Sequence, residues 1–184
     1  MLSQRSLSVP RCRARLPNFQ LSPIDQHMHP SDDSKPVLNT AIHSMVAACQ
    51  EGRYPSLIAR LGSGWAVLGQ SQFLRGYSLL LPDPVVPHLN AMQASHRDQF
   101  LKDMAVLGDA VFAVTGALRI NYAMFGNVEP ALHAHVIPRY INEAPELKTA
   151  HPWVYDWAQA PQFDVQRDAV LLLEIKTTLQ PKMV

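Results

Sequence analysis

The sequence predicts an α+β fold with a mainly antiparallel, five-stranded sheet, one long helix and a C-terminal helical extension. The first observation is the order of the elements. Three short apolar runs follow one another, and two more follow the long helix, whereas doubly wound chains alternate strands with helices. The second observation is composition: 47% apolar and 17% charged residues in a chain of 184 suit one globular domain with its own core.

The chain divides into a tail, residues 1–36, and a body, residues 37–184, that includes an extension at 141–184. The tail has no sustained apolar period and is predicted to be mobile. Residues 1–24 hold no acid and four arginines, which are Arg5, Arg11, Arg13 and Arg15. Such a start is typical of a transit peptide. A start codon placed too far upstream, or a plain disordered tail, would explain it as well.

The first half of the body predicts a helix and three strands. Apolar residues after Val37 fall mostly on one helical stripe, which Asn39 would cap and Gly52 would end. Two short apolar runs on either side of Gly-Ser-Gly then indicate a hairpin, and a third run is stopped by Pro-Asp-Pro. The predicted strands are Ser56–Leu61, Trp65–Leu68 and Gly76–Leu81.

The second half opens with the strongest helical pattern of the chain. Ser95 is a plausible N-cap, Asp98 follows at the capping-box position, and Gly116 closes the helix. One apolar stripe runs along it, formed by Phe100, Met104, Leu107, Val111 and Val114. Two strands, Leu118–Phe125 and Ala131–Ile137, and a final amphipathic helix, Val165–Leu179, complete the prediction.

Charge and composition exclude several classes of protein. The net charge of +1 argues against a dedicated nucleic-acid binder. No apolar stretch approaches the roughly 20 residues of a membrane span, and no apolar segment of about 7–15 residues indicates a secretory signal. The two cysteines, Cys12 and Cys49, cannot form a disulfide framework, which favours a cytoplasmic location.

The densest cluster of chemically useful residues is a histidine pair. Because residues two apart share one face of a strand, His133 and His135 project together, while Leu132, Ala134 and Val136 face the core. Two such imidazoles can bind a metal, can form a nucleophile with a hydrogen-bonding partner, or can be ordinary half-buried residues. A metal site lacks a third ligand: the nearby Glu129 precedes a proline, and nothing selects His43 or His88.

The residues around the pair resemble the histidine triad (HIT) superfamily of nucleotide hydrolases and transferases. The run Leu132 to Arg139 is similar to the family signature, in which histidines alternate with apolar residues and a Pro-Arg pair often follows. Ala131 takes the place of the first histidine. The resemblance covers about Pro55 to Tyr140, and it includes three upstream segments: Gln72 to Pro82, Ile120 to Tyr122, and Gly126-Asn127.

The resemblance implies a HIT-like fold and roles for particular residues. His133 aligns with the nucleophile that attacks the α-phosphorus of a nucleotide, and His135 with the histidine that bonds the phosphate oxygens. The implied substrate-binding residues are Asn121, Asn127, Gln72, Tyr77 and Arg139. Each has a structural alternative: turn or strand-end stabilisation for the asparagines, sheet packing for Gln72 and Tyr77, and an ion pair for Arg139. The nearby Glu143, Glu146 and Lys148 are interpreted as solvated surface.

Ala131 leaves three functions open, because alanine can neither donate nor accept a proton. The first is a hydrolase or nucleotidyl transferase that acts on a nucleoside phosphoramidate or a dinucleoside polyphosphate. The second is a nucleotide-binding or regulatory protein without turnover. The third is a metal-dependent protein that uses the histidine pair. The resemblance implies no cofactor, a nucleotide-containing small-molecule partner and a homodimer joined through the helix at 95–116 and the C-terminal segment.

Overall fold

A computed structural model describes residues 39–180. The predicted tail, residues 1–36, lies outside the described residues, so the predicted boundary between tail and body stays a prediction. Within the described part, no helix is both long enough and apolar enough to cross a membrane.

The first helix, α1, spans Ala41–Gln50. Its N-cap is Thr40 and not Asn39 as predicted, because the hydroxyl of Thr40 accepts a hydrogen bond from the His43 main chain. The His43 ring in turn accepts from the Thr40 main-chain N–H, which completes a reciprocal capping box. Beyond the helix, Gly52 adopts a left-handed conformation with φ of +67°, as its predicted role at the helix end requires.

Five antiparallel strands form one sheet, which confirms the predicted fold class. They are β1 (Leu57–Arg60), β2 (Gly64–Leu68), β3 (Ser78–Pro82), β4 (Arg119–Ala123) and β5 (Ala134–Arg139). The spatial order is β1-β2-β3-β5-β4. Strand β5 therefore lies between β3 and β4, where both of its edges are paired.

Two strands begin two or three residues later than the sequence pattern predicts. The strand β3 starts at Ser78 because Gly76, with φ of +90°, and Tyr77, whose N–H bonds the carbonyl of Leu74, form a turn. The strand β5 starts at Ala134 because the N–H groups of Ala131 and Leu132 bond the carbonyls of Glu129 and Val86 instead of the sheet. His133 accordingly lies just before the strand, not within it.

The long helix α2 spans Ala94–Thr115 and ends at Gly116, which has φ of +64°, as predicted. Its start differs, because Gln93 is the N-cap and makes no side-chain capping bond; the predicted capping box of Ser95 and Asp98 is wrong. The last helix, α3, spans Ala169–Leu179 and begins four residues later than predicted, because the Asp164 carboxylate accepts from two main-chain N–H groups and holds a separate turn.

The sheet is covered on both faces. Helices α2 and α3 pack on one face, where they bury the side chains Phe100, Leu107, Val111, Leu171 and Ile175 against Leu80, Ala134 and Val136. Helix α1 covers part of the other face, with Ile42, Val46 and Cys49 against Val67 and Leu81. Aromatic residues of the C-terminal extension cover the rest of that face around Ile137. Alternation along β5 therefore directs His135 toward the face of α1 and the extension.

Candidate active site

The two histidine rings lie next to each other on the face that α1 and the extension cover. Their centroids are 4.7 Å apart and the rings meet edge to face. Each residue is 7% exposed. The pattern of the sequence explains this position, since Ala134 and Val136 are buried against α2 and α3 on the opposite face. The predicted juxtaposition of the pair is present, although only His135 is in the strand.

The hydrogen bond of His133 fixes where its proton lies. Its Nδ1 is 2.8 Å from the main-chain carbonyl oxygen of Ala131. A carbonyl oxygen only accepts, so Nδ1 carries the hydrogen and donates it. In the neutral ring, Nε2 is then an unprotonated nitrogen with a free lone pair. Such a nitrogen is able to act as a nucleophile.

The hydrogen bond of His135 joins it to Tyr77, the residue just before β3. The Oη of Tyr77, which is 3% exposed, lies 2.6 Å from Nδ1 of His135. Burial, with a smaller contribution from the adjacent His133, lowers the pKa of His135 to about 3. Burial also raises the pKa of Tyr77 well above its ordinary value. Both side chains are therefore neutral near pH 7.

Both histidines line a cavity of about 460 Å³, which we call the aromatic cavity. Its other lining residues are Phe125, Asn127, Val128, Glu129, His151 and Trp153. Glu129 is the one carboxylate among these residues, and its Oε1 is buried without a hydrogen-bond partner in the described part of the chain. No lysine or arginine is among the described lining residues. The cavity thus combines aromatic and imidazole rings with the side-chain amide of Asn127 and the carboxylate of Glu129.

A second cavity, of about 320 Å³, adjoins His133 from the side of Ala131. The segment from Pro87 to Asn90 and the loop around Gly126 form its walls. Because His133 lines both cavities, it lies where the two spaces meet. Across residues 39–180, no group of three or more His, Cys, Asp or Glu side chains is arranged to hold a metal ion.

The extension supplies one wall of the aromatic cavity. The ring of Trp153 stands edge to face against His135, with 4.8 Å between the centroids, and Phe125 packs on Trp153 at 5.1 Å. Trp153 lies in a short 3₁₀ turn, Pro152–Val154, and its main-chain N–H bonds Nδ1 of His151. The irregular segment after β5 is therefore part of the site and not merely a tail that packs on the sheet.

Two of the predicted substrate-binding residues lie in the turn before β3. The amide of Gln72 is buried; it donates to the carbonyls of Gly69 and Tyr77 and accepts from the N–H of Gly76. Its polar atoms are thus bonded within its own loop, which holds Tyr77 in place. Tyr77 itself reaches the site, but its hydroxyl bonds His135 and its side chain is buried.

Arg139 and the asparagines take three different positions. The guanidinium of Arg139 forms a buried ion pair with Glu143, at 2.7 Å, and donates to the carbonyls of Leu147 and Ala150. The prediction that Glu143 is solvated surface is wrong, because it lies under this guanidinium. Asn127 lines the aromatic cavity, whereas Asn121 lines neighbouring cavities beside His151.

The sequence pattern does not predict the positions of three residues that line the aromatic cavity. Phe125 and His151 stand in irregular segments, so no period places them near the histidines. In the sequence, Trp153, Tyr155 and Trp157 alternate along the extension, a pattern that favours packing on the sheet over coverage of the site; the structure places Trp153 against His135. The family resemblance implies that a main-chain carbonyl orients His133, and the structure identifies it as the carbonyl of Ala131.

Comparison with known proteins bears on the fold. No protein-family model and no curated protein matches the chain. A solved histidine triad protein from Bradyrhizobium japonicum aligns over 70% of this chain and 92% of its own, with 19% identity and a TM-score of 0.57. One from Marinobacter aquaeolei aligns over 78% and 96%, with 19% identity and a TM-score of 0.56.

A third solved structure is a hypothetical histidine triad nucleotide-binding protein from Sulfolobus tokodaii. It aligns over 75% of this chain and 92% of its own, with 11% identity and a TM-score of 0.59. These identities are low, but the sheet order, the long helix and the histidine pair are observed in this chain independently of them. The chain therefore has the fold of the histidine triad proteins, as its motif predicts.

Proposed function

We propose that the chain is a nucleotide hydrolase or nucleotidyl transferase of the histidine triad superfamily. It acts at the α-phosphorus of a nucleoside phosphoramidate or a dinucleoside polyphosphate, through a histidyl–nucleotide intermediate. The observation that carries the proposal is the bond from Nδ1 of His133 to the carbonyl of Ala131, which leaves Nε2 with a free lone pair beside a cavity of about 460 Å³.

The proposed reaction has two displacements. In the first, the lone pair on Nε2 of His133 forms a bond to the α-phosphorus, and the bond from phosphorus to the leaving group breaks. In the second, water or another acceptor attacks the same phosphorus, loses a proton and releases Nε2. The Nδ1–H bond to Ala131 stabilises the positive ring of the intermediate, because the carbonyl is an acceptor aimed at that hydrogen.

His135 and Asn127 bind the phosphate oxygens in this proposal, since both line the aromatic cavity with His133. A neutral imidazole and an amide donate hydrogen bonds without adding charge. The effect of Asn121, Gln72 and Arg139 is indirect in this proposal: they stabilise the strands and loops that form the cavity walls.

Ala131 limits the reaction, because no side chain at that position transfers a proton to the leaving group. A positioned acid is typically worth about 10²–10⁴-fold in rate. Substrates whose leaving groups need little proton assistance are therefore the expected ones. The same residue supports the second candidate function, a nucleotide-binding protein without turnover: the methyl group of Ala131 is 1% exposed and packs in the α1 cluster.

The test is a reaction of concentrated protein with a panel of adenosine phosphoramidates and dinucleoside polyphosphates. Nucleotide release and intact protein mass are followed for wild type, His133→Ala and the control His96→Gln, which alters a histidine bonded to the Ser63 carbonyl. A nucleotidyl adduct or release that is absent only from His133→Ala supports catalysis. Protein that binds AMP but yields neither adduct nor product has the second function.

The proposal also includes a homodimer and a cytoplasmic location. The homodimer is supported by an exposed apolar surface on β4 and α2, formed by Phe112, Leu118 and Tyr122. Strand β4 is the last strand of the sheet, and its outer edge is unpaired within residues 39–180. The cytoplasmic location follows from the cysteine content and stays a prediction.

A further inference from the structure

The hydroxyl of Tyr77 occupies a position from which it controls His135. Its Oη is 2.6 Å from Nδ1 of His135, and the two rings lie nearly parallel, with an interplanar angle of 11°. Phe73 and Trp157 pack against the Tyr77 ring at 4.9 and 5.6 Å, and Gln72 bonds its main chain. The phenol is thus held from three sides, so its hydroxyl has one defined direction.

The hydrogen in this bond can be assigned to the phenol. Tyr77 and His135 are both neutral near pH 7, so the phenol and the imidazole each carry one hydrogen. Among residues 39–180, the acceptor within reach of the Tyr77 hydroxyl is Nδ1 of His135. A buried hydroxyl that donated to nothing would lose the free energy of a hydrogen bond. The phenol therefore donates to Nδ1, and the ring hydrogen of His135 is on Nε2.

The two adjacent histidines are then opposite tautomers. His133 has its hydrogen on Nδ1, because Nδ1 donates to the Ala131 carbonyl, and its Nε2 is a lone pair. His135 has its hydrogen on Nε2, because Nδ1 accepts from Tyr77. One ring presents a nucleophile and the other presents a donor. If His135 had the opposite tautomer, its lone pair on Nε2 would repel a phosphate oxygen.

We propose that Tyr77 is a positioning residue that fixes His135 as a neutral Nε2–H donor to the phosphate oxygens of the ligand. The proposal rests on the proposed nucleotide function. In it, Tyr77 positions His135 and does not, as the resemblance implies, bind the substrate directly. A phenol suits this task, whereas a carboxylate at the same place would accept from Nδ1 and leave Nε2 unprotonated in the neutral ring.

The other titratable groups around His135 do not supply this tautomer. The His133 ring meets the His135 ring edge to face, and Glu129 and His151 line the same cavity. The Nδ1 of His133 is already bonded to Ala131, and the Nδ1 of His151 accepts from the Trp153 main chain. None of these three has a hydrogen bond to the His135 ring. Tyr77 is the described residue whose hydroxyl sets its hydrogen.

The test compares wild type with Tyr77→Phe, which removes only the hydroxyl, and with Phe73→Leu, which alters the packing of Tyr77 but keeps the hydroxyl. Nitrogen-15 NMR of the histidine rings reports which nitrogen of His135 bears the hydrogen, and His135→Asn identifies its signals. Titration calorimetry measures the affinity for AMP. We expect Nε2–H in wild type and Phe73→Leu, and a mixture of tautomers in Tyr77→Phe.

The affinity for AMP should fall about tenfold in Tyr77→Phe and stay within about twofold in Phe73→Leu, since one oriented hydrogen bond to phosphate is weakened. Hydrogen on Nδ1 in wild type, an unchanged tautomer in Tyr77→Phe, or unchanged AMP affinity in Tyr77→Phe would each overturn the proposal. The tautomer is read in protein without substrate. Failure of catalysis, seen as no adduct in wild type, is therefore distinguishable from failure of this inference.

Discussion

At the scale of single residues, the side chain at position 131 determines what the histidine pair can do. Its carbonyl orients His133, and that contact needs no particular side chain. Its methyl group lies in the apolar cluster of Ile42, Val46 and Val67. The position therefore serves the core with its side chain and the site with its main chain. In the proposed reaction, His133 therefore keeps the contact that orients it, whereas the leaving group receives no proton from residue 131.

The buried, neutral state of His135 makes a prediction about stability and pH. Its pKa is lowered from 6.5 to about 3 in the folded chain, so the unfolded chain binds the extra proton at intermediate pH. The contribution of His135 to the free energy of unfolding is fully present above its pKa in the unfolded chain. It is lost as the pH falls toward its pKa in the folded chain. From about pH 6 to about pH 4, the free energy of unfolding should fall by about 2 kcal/mol more in wild type than in His135→Asn.

Urea unfolding at several pH values measures this difference. The control is His88→Asn, which removes an exposed histidine and should keep the steeper pH dependence of wild type. Carboxylates that titrate in the same range contribute equally to all three proteins and cancel in the comparison. Parallel curves for wild type and His135→Asn would contradict the prediction, because they would mean that His135 takes up its proton equally well in the folded chain.

At the scale of the elements, one carboxylate joins the long helix to the first hairpin. Asp103 of α2 is buried, and its Oδ2 accepts from both the main-chain N–H and the hydroxyl of Ser63 in the turn between β1 and β2. Its Oδ1 accepts from Gln99 one helical turn earlier. This contact fixes the edge of the sheet that lies farthest from β4 against the helix.

Asp103→Ala should therefore lower the free energy of unfolding by about 3 kcal/mol, because a buried N–H of Ser63 is left without its charged acceptor. The matched control is Ser63→Ala, which removes one of the two bonds from this residue and should cost only about 1 kcal/mol. Urea denaturation with an unchanged slope checks both values. A loss in Asp103→Ala no larger than that in Ser63→Ala would show that the main-chain bond contributes little.

Local patterns predicted the elements, the first hairpin and the antiparallel character of the sheet, but not the order of its strands or where β5 and α2 begin. The apolar stripe of α2 and Gly116 act within a few residues, so the sequence reveals them. The start of β5 depends on Leu132 bonding the distant Val86, and the start of α2 on Gln93 without a side-chain cap. The start of β5 thus follows from a tertiary hydrogen bond, and the start of α2 has no capping side chain, so local patterns miss both.

The candidate site shows the same division. His133 and His135 are neighbours in the sequence, so strand geometry alone predicts that they meet. The bond between Tyr77 and His135 joins residues 58 positions apart, and the extension brings Trp153 over the ring from outside the sheet. The sequence identifies the pair and the motif, while the partners that set its chemistry depend on the fold.

At the scale of the whole molecule, a buried ion pair joins the extension to the sheet. Arg139 at the end of β5 donates to Glu143 and to the carbonyls of Leu147 and Ala150, and Glu143 also accepts from the Tyr155 hydroxyl. The segment that follows carries His151 and Trp153 to the aromatic cavity. Arg139 therefore bonds the segment that leads to the cavity. The Pro-Arg ending of the motif does not predict this contact.

The proposed homodimer predicts how association depends on the exposed apolar residues at β4. Phe112, Leu118 and Tyr122 are 47%, 52% and 43% exposed, and burying these side chains against a second copy removes apolar area from water. Light scattering should show a species of twice the 20.5 kDa chain mass. Leu118→Asp should yield monomer, because it would place a charge in the interface. Val165→Asp places the same charge in the C-terminal segment, the other contact that the resemblance implies, and should leave the dimer intact if the interface lies at β4. A monomer in wild type at working concentration, or dissociation by both substitutions, would contradict this interface. The first result would mean that each chain forms its site alone, and the second that the C-terminal segment also takes part in association.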